Sequence, residues 1–225
     1  MKLQDRLDAL TADYESGKHP PKPSREVLDI MNRATADLIA SGQAERAPKA
    51  GAKAPDFTLK DSDGRAVSSL DLLAKGPLVV SFYRGVWCPY CNLELQALEA
   101  ALPEIKARGA SLVAISPQTA PNSRKSQRDN KLSFAILSDE RSEVARAFGI
   151  RFALPKDLIA LYRSFKIDLP SYNENVSWVL PMPARYAIGR DGVIAYAEVN
   201  PDYTRRPDPS ELLPELDRLR LGTAA

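Results

Sequence analysis

Residues 78–83, Leu-Val-Val-Ser-Phe-Tyr, form the strongest apolar run in the chain. The run has the length of a strand, and it lacks the polar alternation of a strand with one wet face. Such a segment belongs at the centre of a sheet, covered on both sides. That requirement commits the chain to a layered architecture with helices above and below the sheet. The same run is far short of the ~20 apolar residues that cross a bilayer.

From Asp56 onward the pattern supplies those layers. Phe57 and Leu59 alternate before the turn Asp63-Gly64, and Val67 follows it, which predicts a hairpin. Ser68 opens a short helix that Gly76-Pro77 ends. After the central run come Cys88 and Cys91, then a helix on Leu95, Leu98, Leu102 and Ile105, closed by Gly109 and interrupted by Pro103. Residues 111–115 predict a second buried strand, 121–131 a polar helix, and 134–137 a third strand. Ser138 or Asp139 caps a helix running to Phe148-Gly149. Residues 186–188 and 193–199 flank the turn Gly189-Arg190-Asp191-Gly192, a terminal antiparallel hairpin. Asp208-Pro209-Ser210-Glu211 starts a last helix on Leu212, Leu216 and Leu219. The sum is an α/β fold, a mixed central sheet flanked by helices.

Two regions stand outside this alternation. Residues 150–181 carry a helical stripe on Leu158, Leu161 and Phe165 and fit as an insertion. Residues 1–46 form an N-terminal helical extension, with one stripe on Leu3, Leu7, Leu10 and Tyr14 and a second helix capped by Ser24. The stretch from His19 to Pro23 stops the first helix, and His19 is expected to be a solvated loop residue. Residues 47–55, rich in Ala, Pro, Gly and Lys, have the composition of a linker to the main domain, 56–222. Two short amphipathic helices cannot bury their stripes alone. They must pack on the main domain or on a second subunit, which makes a homodimer one expected assembly.

Composition narrows the function classes. Lys and Arg number 31 against 29 Asp and Glu, a net charge of +2 that gives no reason to expect a nucleic acid. The basic group Arg124, Lys125, Arg128 and Lys131 is expected to be the wet face of a helix. With 2 Cys and 1 His the chain cannot build an ordinary structural zinc site alone, so neither a metal nor another cofactor is expected. Asp5, Arg6 and Asp8 interrupt the start, where a secretory signal needs an apolar stretch. The expectation is a soluble cytoplasmic protein with no membrane segment. In that reducing compartment, a pair of cysteines three positions apart is redox-active rather than structural.

The segment Arg84-Gly85-Val86-Trp87-Cys88-Pro89-Tyr90-Cys91 joins the central strand to the next helix. Free amides and the positive end of the helix dipole favour a thiolate there over a thiol. A second thiol within reach can resolve a mixed disulfide or a sulfenic acid by closing a Cys88–Cys91 bridge. Trp87 shields one side, and Pro89 sets the helix direction. Two inert core cysteines are the bland alternative. Yet both cysteines of the chain fall in one C-x-x-C, after a strand and before a helix.

Strand, Trp-Cys-Pro-Tyr-Cys, helix and a later Pro-strand-turn-strand resemble the thioredoxin superfamily. Within it, the chain resembles the peroxiredoxin-like branch, the AhpC/TSA family, whose domains open much as Ala54-Pro55-Asp56-Phe57-Thr58-Leu59 does. The resemblance covers about residues 52–222. It implies a thioredoxin-like fold and a thiol peroxidase. Typical members carry Phe-Tyr-Pro and then a Thr or Ser three residues before the peroxidatic cysteine. Laid on Phe82-Tyr83, that pattern puts Cys91 at the peroxidatic position, Arg84 at the Pro position and Cys88 at the Thr position. The Arg that polarises peroxide in typical members would fall near Pro183, which instead resembles the proline facing the C-x-x-C in thioredoxins. Arg185, two residues on, is a substitute if the strand has begun.

Two enzymatic readings stay open. In one, Cys91 attacks hydrogen peroxide or an organic hydroperoxide, Cys88 condenses with the sulfenic acid, and thioredoxin or a small thiol reduces the disulfide. Arg84 or Arg185 then steadies the thiolate. In the other, Cys88 attacks a substrate disulfide, Cys91 resolves, and Pro183 presents backbone to the substrate. The helix-start argument favours Cys88 as attacker and the resemblance favours Cys91. A third reading, a redox-inert binding or sensor protein on the same fold, predicts unreactive thiols. Tyr90 borders the sulfurs in every case, the loop 200–207 either lines the site or crosses the surface, and Trp178 has no assigned role.

Overall fold

The computed structural model describes residues 1–18 and 22–222. His19, Pro20 and Pro21, read above as a helix stop and a solvated histidine, lie outside the described residues. In chain order the elements are helices α1 (Leu3–Ser16) and α2 (Arg25–Ala40), strands β1 (Thr58–Asp61) and β2 (Ala66–Ser68), α3 (Ser69–Lys75), β3 (Leu78–Phe82), α4 (Pro89–Ala107), β4 (Ser111–Ser116), α5 (Ala120–Asn130), β5 (Ala135–Ser138) and α6 (Glu143–Ala147). There follow β6 (Arg151–Ala153), α7 (Lys156–Ser164), α8 (Leu169–Asn173), β7 (Val179–Pro181), β8 (Ala184–Ile188), β9 (Ile194–Val199) and α9 (Leu213–Gly222). Seven strands make one mixed sheet in the order β2-β1-β5-β4-β3-β8-β9. β3 lies inside it, parallel to β4 and antiparallel to β8.

All five residues of β3 are buried, as the unbroken apolar run requires. Successive side chains of a strand point to opposite faces, and the two cores divide accordingly. Val79 and Tyr83 join Leu95, Leu98, Leu102 and Ile105 of α4 on one face. Leu78, Val80 and Phe82 join Phe148, Tyr186 and Phe57 on the other. Pro103 sits inside α4, which continues through it to Ala107.

Residues 150–181 form a small subdomain of their own. β6 and β7 pair antiparallel at its base, and α7 and α8 stand between them in sequence. Its core is Leu154, Leu158, Leu161, Tyr162, Leu169 and Leu180. Phe165 is not in it: α7 ends at Ser164, so Phe165 leaves the stripe and is 41% exposed.

The N-terminal helices bury their stripes within the same chain. α1 places Leu3 and Leu7 in the α4-side core. α2 lays Val27, Ile30, Met31 and Ala34 on the core of the 150–181 subdomain. Residues 47–55 run along the start of β9: Gly51 donates to the Ile194 carbonyl at 2.8 Å, Ile194 to Ala52 at 2.9 Å, and Ala54 to Gly192 at 2.9 Å. α1 also reaches the chain's far end. The Leu3 amide donates to Asp208 Oδ2 at 3.0 Å, and Gln4 accepts from the Arg206 amide at 2.9 Å.

Leu7 is fully buried, so Leu7→Ala should lower unfolding stability by about 2–5 kcal/mol. Val176→Ala, at a residue 90% exposed, should stay within about 0.5 kcal/mol. Urea denaturation of both variants checks this pair.

Candidate active site

β3 ends at Phe82, and the chain must turn from the sheet into α4 within six residues. Cys88 is the N-cap of α4, in extended conformation, and Pro89 occupies the first helical position, where a missing N–H leaves nothing unsatisfied. Gly85 makes the turn feasible. Its φ is 148°, and a Cβ there would lie 2.5 Å from Trp87 Nε1. The loop is held from three sides: the Val86 amide donates to Gln118 Oε1 at 2.8 Å, Asn92 Nδ2 to the Val86 carbonyl at 2.9 Å, and the Cys88 amide to Gly85 at 3.1 Å. Gln118 in turn donates to Tyr83 Oη at 2.6 Å, which ties the loop to the sheet.

Both cysteines are reduced and buried, within hydrogen-bonding reach of each other. Beneath Cys91, one helical turn further along α4, lies Glu94, 2% exposed. Its carboxylate accepts from Arg185 Nη2 at 2.8 Å and from Arg206 Nε at 2.6 Å. Arg206 Nη2 stands 4.0 Å from Cys91 Sγ. Arg185 donates also to the Pro207 carbonyl at 3.2 Å.

A third guanidinium comes from Arg84, which is 4% exposed. It lies 4.3 Å from the centre of the Tyr203 ring and 4.9 Å from that of Trp87, and it donates to Tyr162 Oη. Aromatic faces hold a desolvated cation in this way. Burial works against the Arg84 charge, but Tyr162, Cys88 and Cys91 more than offset it, and its pKa is raised.

Arg84 and Arg206 act on the sulfurs, and the one carboxylate, Glu94, is shared between Arg206 and Arg185, so the site favours a further negative charge. Burial opposes ionisation of Cys88, yet the hydrogen bond from Cys91 and the charges of Arg84 and Arg206 bring its pKa down to about 6. Burial and the neighbouring Cys88 thiolate push Cys91 well up, with Arg206 and Arg84 pulling the other way. The pair therefore holds one thiolate and one shared proton at neutral pH.

Of the residues singled out from sequence, Arg84, Trp87, Pro89, Tyr90, Cys88 and Cys91 lie together at the head of α4. Tyr90 Oη is 2.9 Å from Thr11 Oγ1, so α1 touches the site directly. Arg185 is not beside the sulfur. It is 1% exposed and supports Arg206 through Glu94. Pro183 immediately precedes β8, its carbonyl accepts from the Asn200 amide at 3.0 Å, and it borders a cavity shared with Arg84 and Tyr203. The sequence reading missed Glu94, Arg206, Tyr162, Tyr203 and Gln118. Glu94 had a signal, a carboxylate on the apolar stripe of α4 between Leu93 and Leu95. Arg206 and Tyr203 had none beyond their place in the loop 200–207.

The model of the AhpC/TSA family matches residues 50–197. A chloroplastic peroxiredoxin Q of Oryza sativa subsp. japonica is 30% identical over 179 residues, 78% of this chain and 68% of that protein. A chloroplastic peroxiredoxin Q of Triticum aestivum is 28% identical over 205 residues, 84% of each chain. The crystal structure of peroxidoxin BcpB from Mycobacterium tuberculosis superposes with a TM-score of 0.59 at 22% identity, covering 76% of this chain and 97% of that one. With the family model matched over residues 50–197 and a 30% identical relative covered over 68% of its length, the chain belongs to the AhpC/TSA family of thiol-dependent peroxidases.

Proposed function

We propose that Cys91 is the sulfur that attacks the peroxide and Cys88 the sulfur that resolves it. The supporting observation is Arg206, 4.0 Å from Cys91 Sγ and fixed by Glu94 at 2.6 Å. A guanidinium so held can stabilise the thiolate and the charge that develops on the departing oxygen. Moving the shared proton from Cys91 to Cys88 places the negative charge beside Arg206. Cys91 thiolate then attacks one peroxide oxygen, and the O–O bond breaks. That oxygen stays on the sulfur as sulfenic acid, and the other leaves as alkoxide or hydroxide and takes a proton from water. Cys88 thiol condenses with the sulfenic acid, releasing water and closing the disulfide. A dithiol such as thioredoxin, or two small thiols, returns two electrons and two protons.

A second reading has Cys88 as the nucleophile, either on peroxide or on a substrate disulfide. It is supported by the lower pKa of Cys88. The two readings separate cleanly by mutation. Under the first, Cys91→Ser abolishes peroxide consumption, and Cys88→Ser still forms a sulfenic acid that dimedone traps on Cys91 but does not turn over. Dimedone labelling of Cys88 in Cys91→Ser would reverse the roles.

The ionisation sets the pH dependence. A pair whose first proton is lost at about 6 is mostly protonated below that pH. The rate of reaction with peroxide should therefore rise through pH 6 and level off above pH 7, as read by stopped-flow fluorescence. In Cys88→Ser the thiolate that pushes Cys91 up is gone, so the Cys91 pKa should fall, as read by thiolate absorbance.

Glu94→Gln leaves two buried guanidiniums without their counter-charge. It should lower stability by about 3–5 kcal/mol, measured by urea denaturation of the reduced protein.

A further inference from the structure

A cavity of about 430 Å³ opens beside Arg84. Neither cysteine borders it, and neither does Arg206, so it is a space apart from the sulfurs. Its volume falls within the ~300–1,000 Å³ of small-molecule sites. α2 forms one wall through Met31, Ala34 and Leu38, and the 150–181 subdomain forms the facing wall through Leu158 and Leu180. Arg33 of α2 ties the two walls by pairing with Asp157 of α7 at 2.6 Å. Gln43 adds bonds to the carbonyls of Gly149 at 3.0 Å and Arg151 at 2.7 Å. α2 lies outside residues 50–197, the span of the family match, and Arg84 stands where typical members carry Pro. The space is therefore built from this chain's own departures.

Three charged residues line it. Asp37 is exposed, and half-buried Arg151 is paired with Glu143 at 3.5 Å. Only Arg84 is buried, and it has no carboxylate. The buried ion pairs among the described residues take Arg185 and Arg206 to Glu94. Arg84 donates from Nη2 to Tyr162 Oη, and its Nε has no partner among the described residues. What balances this cation is the thiolate held by Cys88 and Cys91. Closing the Cys88–Cys91 bond passes two electrons to the oxidant, with the pair's proton and one from water, and leaves no charge on either sulfur. Arg84 is then a buried cation without a counter-charge, a state that costs several kcal/mol.

We propose that this cavity binds a small apolar monocarboxylate, its carboxylate on Arg84 and its body between α2 and the 150–181 subdomain, and that the disulfide form binds it more tightly than the dithiol form. The redox preference rests on the disulfide of the reading above, while the site itself needs neither sulfur to be the nucleophile. A carboxylate matches a guanidinium in shape and brings one charge to one unbalanced cation. A phosphate brings up to two charges and three strong acceptors to a chamber whose walls are apolar. Those walls gain from contact with an alkyl or aryl body. Linkage makes the effect reciprocal, so a ligand that prefers the disulfide holds the protein oxidised against its reductant.

The test is isothermal titration calorimetry of octanoate into the full chain at pH 7, in the dithiol form and in the disulfide form made with diamide. The disulfide form should bind about tenfold more tightly or better. 1-Octanol carries the chain without the charge, and inorganic phosphate the charge without the chain; each should bind at least about tenfold more weakly than octanoate. Arg84→Gln removes the cation, and Ala34→Phe fills the cavity from a half-buried position on α2. Thr35→Phe replaces the second variant should it fail to fold. Each should weaken octanoate binding by about tenfold or more, and Arg84→Gln should also erase the difference between the redox forms. Saturating octanoate should lower the reduction potential of the pair by about 30 mV, the tenfold preference converted for two electrons. Equal affinity in the two redox forms, octanol or phosphate binding as well as octanoate, or an affinity unmoved in the folded variants overturns the proposal. Diamide makes the disulfide without peroxide, so tight octanoate binding to the disulfide form of a protein that consumes no peroxide counts against the peroxidase reading alone.

Discussion

One carboxylate in a dry core organises the reactive end of this molecule. Glu94 faces away from water, and two guanidiniums share it. Alone, each of those cations would be intolerable in that position. Together with the aromatic-held Arg84 they leave an excess of positive charge around two sulfurs, and the excess is relieved when one sulfur loses its proton. Burial by itself would suppress a thiolate. The arginines decide the sign, and Glu94 decides where two of the arginines stand.

The scaffold earns its role through direction. The buried strand β3 points its C-terminal end at the start of α4, and the glycine turn between them places Cys88 and Cys91 in the first turn of that helix. The opposite support comes from the segment 200–208, which carries Tyr203 and Arg206 and is itself clamped by α1. The N-terminal helices thus serve the site twice: α1 steadies the Arg206 segment, and α2 walls the cavity beside Arg84.

Much of this was legible in the residues. The apolar run 78–83 and the alternation after it gave the sheet and its helices, because period and length carry that information locally. The pairing of Cys88 with Cys91 was legible for the same reason, since three positions at a helix start are neighbours by geometry alone. Arg206 was not, because it arrives from 115 residues away through a loop without periodicity. Arg185 was placed on the right strand and given the wrong partner. A β-strand pattern tells which face a side chain takes, but whether a carboxylate or a sulfur waits there is a matter of tertiary packing. Phe165 looked like part of a helical stripe, and the helix ended one residue before it.

Leu3 and Asp208 are 205 residues apart and meet by hydrogen bond, and Gln4 holds the backbone of Arg206. Where that clamp is open, Arg206 loses the support that keeps it beside the Cys91 sulfur. A change that loosens α1 therefore reaches the sulfurs through the backbone of Arg206.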